Sequence, residues 1–303
     1  MKLARVGVLG CWAAAMAAAA TCGGHGTRQS LIVSTAWLGQ HLRDANLVVL
    51  AVGEKAEYDA EHIPGARYLD YRLVAPNGAN GLRTELPTAA RFVEIFSQLG
   101  IGNESRVVVY RGKDWLTQST RVVLTLDAMG LGANVSLLDG NLAIWKGEGR
   151  AVSAEVPAER VGKLEACPQS DVIADLDFVK ANLHQSGVKI VDARDPQVYS
   201  GAAARAGMPG GHIPGAGNVF YSSLLDAAGR LKPAGELEAQ FREAGVKAGD
   251  RVVAYCFIGQ QASMLYVVSR YLGYDVRLFD GSWEEWTKHA ELPVENPAGG
   301  GAH

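Results

Sequence analysis

The 303-residue sequence predicts an α/β protein of two tandem domains, each a mainly parallel sheet flanked by helices. Three observations carry this. The first is an internal repeat. His62-Ile63-Pro64-Gly65-Ala66 recurs 150 residues later as His212-Ile213-Pro214-Gly215-Ala216. Two further matches keep the same order. Ser105-Arg106-Val107-Val108-Val109-Tyr110 resembles Asp250-Arg251-Val252-Val253-Ala254-Tyr255 at an offset of 145, and Leu138-Asp139-Gly140 resembles Phe279-Asp280-Gly281 at 141. Ordered matches with a slowly drifting offset indicate a duplicated unit of ordinary domain size. The second observation is the alternation of short apolar runs with helical periods inside each copy, which is the pattern of strand–helix–strand units. The third is that the strand runs are nearly continuous in apolar residues, as expected when both faces of a parallel sheet are covered.

The elements follow in order. Lys2 and Arg5 precede an apolar run over residues 6–20, and Arg28 is the next charge. This is the layout of a secretory signal peptide, placed at residues 1–22. The run falls short of the roughly 20 residues a membrane span needs. Two fates of the leader stand side by side. Cleavage after Ala20 gives a soluble exported, periplasmic protein. Modification of Cys22 gives a lipoprotein whose only membrane contact is that anchor. The first domain is placed at 31–146 and a linker at 147–170, where periodicity fails and Pro157 and Pro168 intervene. The second domain is placed at 171–296 and a Gly-rich tail at 297–303. Within the second copy, strands are expected at 189–192, 251–255 and 275–279. Helices are expected at 237–244 and 261–272, the latter stopped by Gly273. The Pro-Gly pairs at 64–65 and 214–215 mark tight turns.

Composition narrows the function. Hydrophobic residues make up 48% and charged residues 20%, so a packed core is attainable and disorder is not expected. The net charge of −3 offers no basic excess for nucleic acid. Four cysteines exclude a disulfide scaffold and a zinc-ribbon array. Two of them lie in the leader region and Cys167 falls in the linker, where it is expected to be incidental, with a disulfide to Cys22 or Cys256 as the alternative. Cys256 stands apart. It opens the segment Cys256-Phe257-Ile258-Gly259-Gln260-Gln261, between a strand and a helix. In parallel α/β sheets, ligands bind beyond the carboxyl ends of strands. A loop wrapped round a helix N-terminus turns backbone N–H groups inward and cradles negative charge. A cysteine there is expected to have a depressed pKa and to act as a nucleophile. The bland alternative is a small buried hydrophobe closing a strand.

These residues resemble the tandem-domain rhodanese family, the thiosulfate and mercaptopyruvate sulfurtransferases, over residues 31–296. Tyr58-x-x-x-His62-Ile63-Pro64-Gly65-Ala66-x-x-Leu69 resembles the family's N-terminal signature. Val276-x-x-Phe279-Asp280-Gly281-Ser282-Trp283-x-Glu285-Trp286 resembles its C-terminal signature. Cys256 to Gln261 falls where the family has its six-residue active loop. The resemblance implies two rhodanese-like domains with one active site, in the second. It implies that Cys256 takes the outer sulfur of thiosulfate, releases sulfite and passes the sulfur from a persulfide to cyanide or a thiol, without cofactor or metal. Partners are then a small-molecule sulfur donor and acceptor, with the protein acceptor open. Asp192-x-Arg194 resembles the family's Asp-x-Arg; Arg194 is expected to bind an anionic substrate group, with Asp192 orienting it or the loop, the alternative being a surface ion pair. His212 lies in a turn that both copies carry and is expected to be structural. Trp283 and Trp286 are expected in the core.

Departures from the pattern leave the donor open. Phe257, Ile258, Gln260 and Gln261 are neutral, so the loop has no cation to grip a dianion. In the first copy Arg111 replaces Cys256, and Ala51 and Gly53 replace Asp192 and Arg194, so that copy is expected to be inactive. Its Lys113, Asp114 and Trp115 are candidates for shaping the cleft. Other readings are weaker. A cysteine phosphatase on this fold wants an Arg six positions after the Cys, where Ala262 stands. A disulfide oxidoreductase wants a Cys-x-x-Cys pair. A persulfide carrier that serves a protein partner without turnover stays open.

Overall fold

The computed structural model describes residues 27–205 and 207–299. The leader, with Cys22, lies outside them, as does the end of the tail. Two five-stranded sheets are present, and every pairing in both is parallel. The first contains β1 (Ile32–Ser34), β2 (Leu47–Val52), β3 (Arg67–Tyr68), β4 (Arg106–Arg111) and β5 (Val135–Asn141), in the order β1-β5-β4-β2-β3. The second contains β6 (Ile173–Ala174), β7 (Val188–Asp192), β8 (Gly217–Asn218), β9 (Arg251–Tyr255) and β10 (Asp275–Phe279), in the equivalent order β6-β10-β9-β7-β8. The repeat is thus a repeat of topology.

This order positions the site. From β7 the chain moves outward to β8, whereas from β9 it moves to β10 on the other side. Such a reversal opens a crevice at the carboxyl ends of the two central strands. Cys256 leaves β9 there, and Asp192 ends β7 beside it, in register with Tyr255. The central strands carry the continuous apolar runs: Val252, Val253, Ala254 and Tyr255 are all fully buried.

Helix Ala262–Leu272 is apolar nearly all round because it is covered on two sides. One side lies on its own sheet. The other packs against helix Leu116–Leu126 of the first domain. One hydrophobic cluster therefore runs through both domains, including Val122 and Leu126 from one and Met264 and Val268 from the other. Each domain keeps a second cluster of its own on the opposite sheet face. Helix ends differ slightly from the sequence pattern: the helix expected at 237–244 runs Ala234–Glu243, starting three residues and ending one residue earlier.

The segment after the first domain is no loose tether. It forms little secondary structure yet is pinned along the first domain. Ser153 and His62 exchange backbone hydrogen bonds at 2.8 and 2.9 Å, Gly162 N–H donates to Ser97 O at 2.8 Å, and Cys167 N–H to Met129 O at 2.9 Å. Of the two expectations for Cys167 the disulfide holds: it is disulfide-bonded, and Cys256 is not its partner, being free. Among the described residues no helix is long and apolar enough to cross a membrane.

Candidate active site

The loop between Tyr255 and the helix Ala262–Leu272 curls round one sulfur atom. Cys256 is fully buried, and its side chain accepts hydrogen bonds from the backbone N–H groups of Ala262, Ile258 and Gln261. Gly259 makes the curl possible. Its φ is +76°, and a Cβ there would stand 2.8 Å from both the carbonyl and a carboxylate oxygen of Asp280. Any side chain fails on backbone conformation and on space together.

A second loop holds the first in place. It follows β10 and begins Asp280-Gly281-Ser282. The Ser282 hydroxyl accepts from Cys256 N–H at 3.2 Å and donates to Phe279 O at 2.8 Å. Trp283 N–H donates to Cys256 O at 3.0 Å, and Glu284 N–H to Phe257 O at 2.9 Å. Ser282 has φ +51°, rare for a residue with a side chain, and these bonds hold it there.

The thiol corrects one expectation. Burial is the largest influence on Cys256 and pushes its pKa up, while the three amides pull it down without prevailing. Motif reading sees the amides but not the dryness of the site.

Arg194 also sits differently from the substrate-gripping position expected of it. It is 0% exposed and forms a bidentate pair with Asp192, with Nε 2.9 Å and Nη2 2.5 Å from Oδ2. Nη2 also donates to Gly211 O at 2.6 Å. Three rings surround the guanidinium, with centroids at 4.6 Å (Trp283), 5.3 Å (Phe257) and 5.6 Å (Tyr255). The pair is a buried prop beside the loop, and its Nη1 has no hydrogen-bond partner. His212 is held by Tyr199 O at 2.8 Å and Glu295 Oε2 at 2.9 Å and stacks on Tyr199. His62 stacks on Tyr58 in the same way, so both copies use the histidine to brace a turn. Trp283 and Trp286 are fully buried, each donating its indole N–H to a proline carbonyl.

The first domain roofs the loop. Arg121 is 0% exposed; it donates to Asp280 Oδ1 at 2.5 Å, to Thr84 O at 2.5 Å and to Gly259 O at 3.5 Å. Thr84 donates its hydroxyl to Ile258 O. Gln260 accepts from Tyr71 at 3.2 Å and donates to Thr117 at 2.9 Å. Gln260 is thus committed to the domain interface. The amide oxygen of Gln261 is buried with no partner. Asp280 additionally accepts Leu86 N–H at 3.3 Å. Beside it, Glu85 is pushed up to about 7 by burial and by Asp280.

In the first domain Arg111 occupies the Cys256 position, donating to Lys113 O at 3.1 Å and to Gly229 O at 2.8 Å. Lys113 and Asp114 are exposed, while Trp115 meets the Tyr71 ring edge-on. Motif reading missed Tyr71, Thr84 and Arg121, because they reach the loop only when the domains dock. Arg121 left one trace: a charge inside an apolar helix, where an unpaired Arg would be costly. It also missed Arg205. This exposed guanidinium lies 4.9 Å over the Phe257 ring at the loop and makes no ion pair among the described residues.

Comparison with known proteins agrees with this geometry. The rhodanese-like domain matches twice, at residues 34–148 and 175–289. The thiosulfate sulfurtransferase of Azotobacter vinelandii is 30% identical over 270 residues, covering 88% of this chain and 97% of its own. The sulfur carrier protein TtuD of Thermus thermophilus is 30% identical over 283 residues, covering 87% of this chain and 96% of its own. The solved structure of SseA from Escherichia coli, a 3-mercaptopyruvate sulfotransferase, superposes with TM-score 0.74 at 26% identity, covering 83% of this chain and 98% of its own. Two matched domains, a shared sheet order and relatives aligned along nearly their whole length place the chain in the rhodanese family.

Proposed function

We propose that this chain is a sulfurtransferase that moves sulfane sulfur from thiosulfate, or a thiosulfonate or persulfide relative of it, to a thiophilic acceptor. The supporting observation is the convergence of three backbone N–H groups on the Cys256 sulfur. The thiolate attacks the outer sulfur of thiosulfate. A new S–S bond forms to Cys256, the donor's own S–S bond breaks, and its electron pair leaves on sulfite. The terminal persulfide sulfur is an anion in a dry site, where oriented amides are worth most. A nucleophilic acceptor then takes that sulfur, and the Cys256 thiolate is restored. The loop lacks a basic side chain, so the donor's charge is met from its edge. Arg205 is the exposed guanidinium placed for that role.

The experiment is mass spectrometry of the intact protein after thiosulfate. One added sulfur is expected on Cys256, discharged by cyanide, and Cys256→Ser should lose turnover by at least about three orders of magnitude. Sulfur loading on the serine variant would sink the assignment. A second reading, a carrier that hands its persulfide to a protein, has one relative bearing that name, from Thermus thermophilus, against several named sulfurtransferases. A single stoichiometric discharge without cyanide turnover would select it.

Export is part of this proposal. It is supported by the leader pattern and by the disulfide at Cys167, since such bonds persist in oxidising compartments. The mass of the N-terminal peptide of the protein purified from its cells separates cleavage, lipidation of Cys22 and retention.

A further inference from the structure

The carboxyl ends of β2 and β4 are the first domain's counterpart of the Cys256 crevice, and they hold a cavity of about 480 Å³. That is within the usual range for small-molecule sites. The internal repeat explains its shape. Ala51, Gly53, Tyr110, Gly112 and Leu142 line it. They stand where the second domain has Asp192, Arg194, Tyr255, Phe257 and Trp283. In the second domain this space is filled from within by the Arg194 guanidinium, between aromatic faces and with Asp192 along its edge. In the first domain a glycine replaces the arginine, a leucine and a glycine replace two of the rings, and an alanine replaces the carboxylate. The tyrosine remains.

Charge at the mouth follows the same logic. Glu54, Glu57 and Glu61 line the cavity, against Lys113 and Lys146. Lys146 is paired with Glu61. Glu54 and Glu57 make no ion pair among the described residues, so free carboxylates outnumber free ammonium groups. A Glu57 carboxylate oxygen lies 3.3 Å from where a Cβ on Gly112 would stand. A carboxylate therefore reaches the point from which the Phe257 ring springs in the second domain. Tyr110 supplies an aromatic wall, which attracts cations through its face.

We propose that the first domain carries a second ligand site, at which a compact guanidinium- or ammonium-bearing small molecule takes the place that Arg194 fills in the second domain. The site is separate from Cys256 and independent of the sulfur-transfer reading. Titration calorimetry on the full chain tests it, with agmatine as the probe and glutarate as a probe of similar length and opposite charge. Agmatine is expected to bind saturably with one site per chain. Glu57→Gln, on an exposed helix face, should weaken it by about tenfold, as loss of a charge-assisted contact does. Leu142→Trp, which restores the second domain's residue, should abolish it. Sulfur loading on Cys256 should be unchanged in both variants. No saturable agmatine heat, tighter binding of glutarate, or agmatine binding indifferent to Glu57→Gln would each overturn the proposal.

Discussion

The Cys256 side chain is dry and held by amides, and that combination sets its chemistry. Burial raises the thiol, so the thiolate fraction near neutrality is small and grows with alkalinity. Persulfide loading by thiosulfate should therefore accelerate as pH rises from about 7 to 9. A stopped-flow rate flat across that range would show a depressed thiol instead. The cation that meets the donor is expected to be Arg205 and not Arg194, because Arg194 is spent on Asp192 inside the core. Arg205→Ala should raise KM for thiosulfate by roughly tenfold with kcat little changed, the signature of lost ground-state binding. An unchanged KM in steady-state assays would remove Arg205 from the site. Cys256 and its loop stood out in the sequence because motif and strand–helix placement are local. Arg205 did not, since nothing local to Arg205 announces the Phe257 ring beneath it.

Among elements, the loop at residues 256–261 is tightly constrained. Its curl depends on Gly259, whose Cβ position is already taken by Asp280 and by the Arg121 guanidinium, 3.1 Å away. Gly259→Ala should cost about 1–2 kcal/mol for the left-handed backbone alone. Displacement of Asp280 and Arg121 adds to that. Sulfur transfer should fall further than chemical denaturation would suggest, because the amides lose their aim. A variant with full turnover would show that the curl is dispensable. The strands were legible for a reason visible in Val252 to Tyr255: residues buried on both faces leave a continuous apolar run. The segment after residue 147 was not legible as ordered structure. Its partners, such as Ser97 and Met129, lie far away in sequence, so it shows no period of its own.

At the scale of the whole molecule, the first domain completes the Cys256 loop of the second. Arg121 and Asp280 form a buried pair across the interface, and Glu85 lies against it with one carboxylate oxygen buried and without a partner. Burial, then Asp280, raises Glu85 to about 7, so the folded protein holds its proton more tightly than the unfolded chain does. That contribution is fully present below the ordinary glutamate range and is lost as pH climbs through about 7. Thermal unfolding followed from pH 5 to 8 should show declining stability, and Glu85→Gln should flatten the decline. An identical slope in the variant would place the sensitivity elsewhere. No residue in this group is informative alone in the sequence, because the group exists only when segments 83–86, 121 and 280 are brought together. The repeat announced two domains; it could not say that they share a core.

The contact between those domains is made twice. Asp280 receives Leu86 N–H, and Asp139, its counterpart, receives Leu231 N–H at 2.9 Å. Each domain thus offers its Asp-Gly turn to the same stretch of the other, which is the geometry of an isologous homodimer contained in one polypeptide. In a pair of identical chains every substitution is made on both sides. Here the two halves of the contact mutate separately, so one can be held to the demands of sulfur chemistry while the other drifts. Joining the copies end to end freed this protein from its own symmetry.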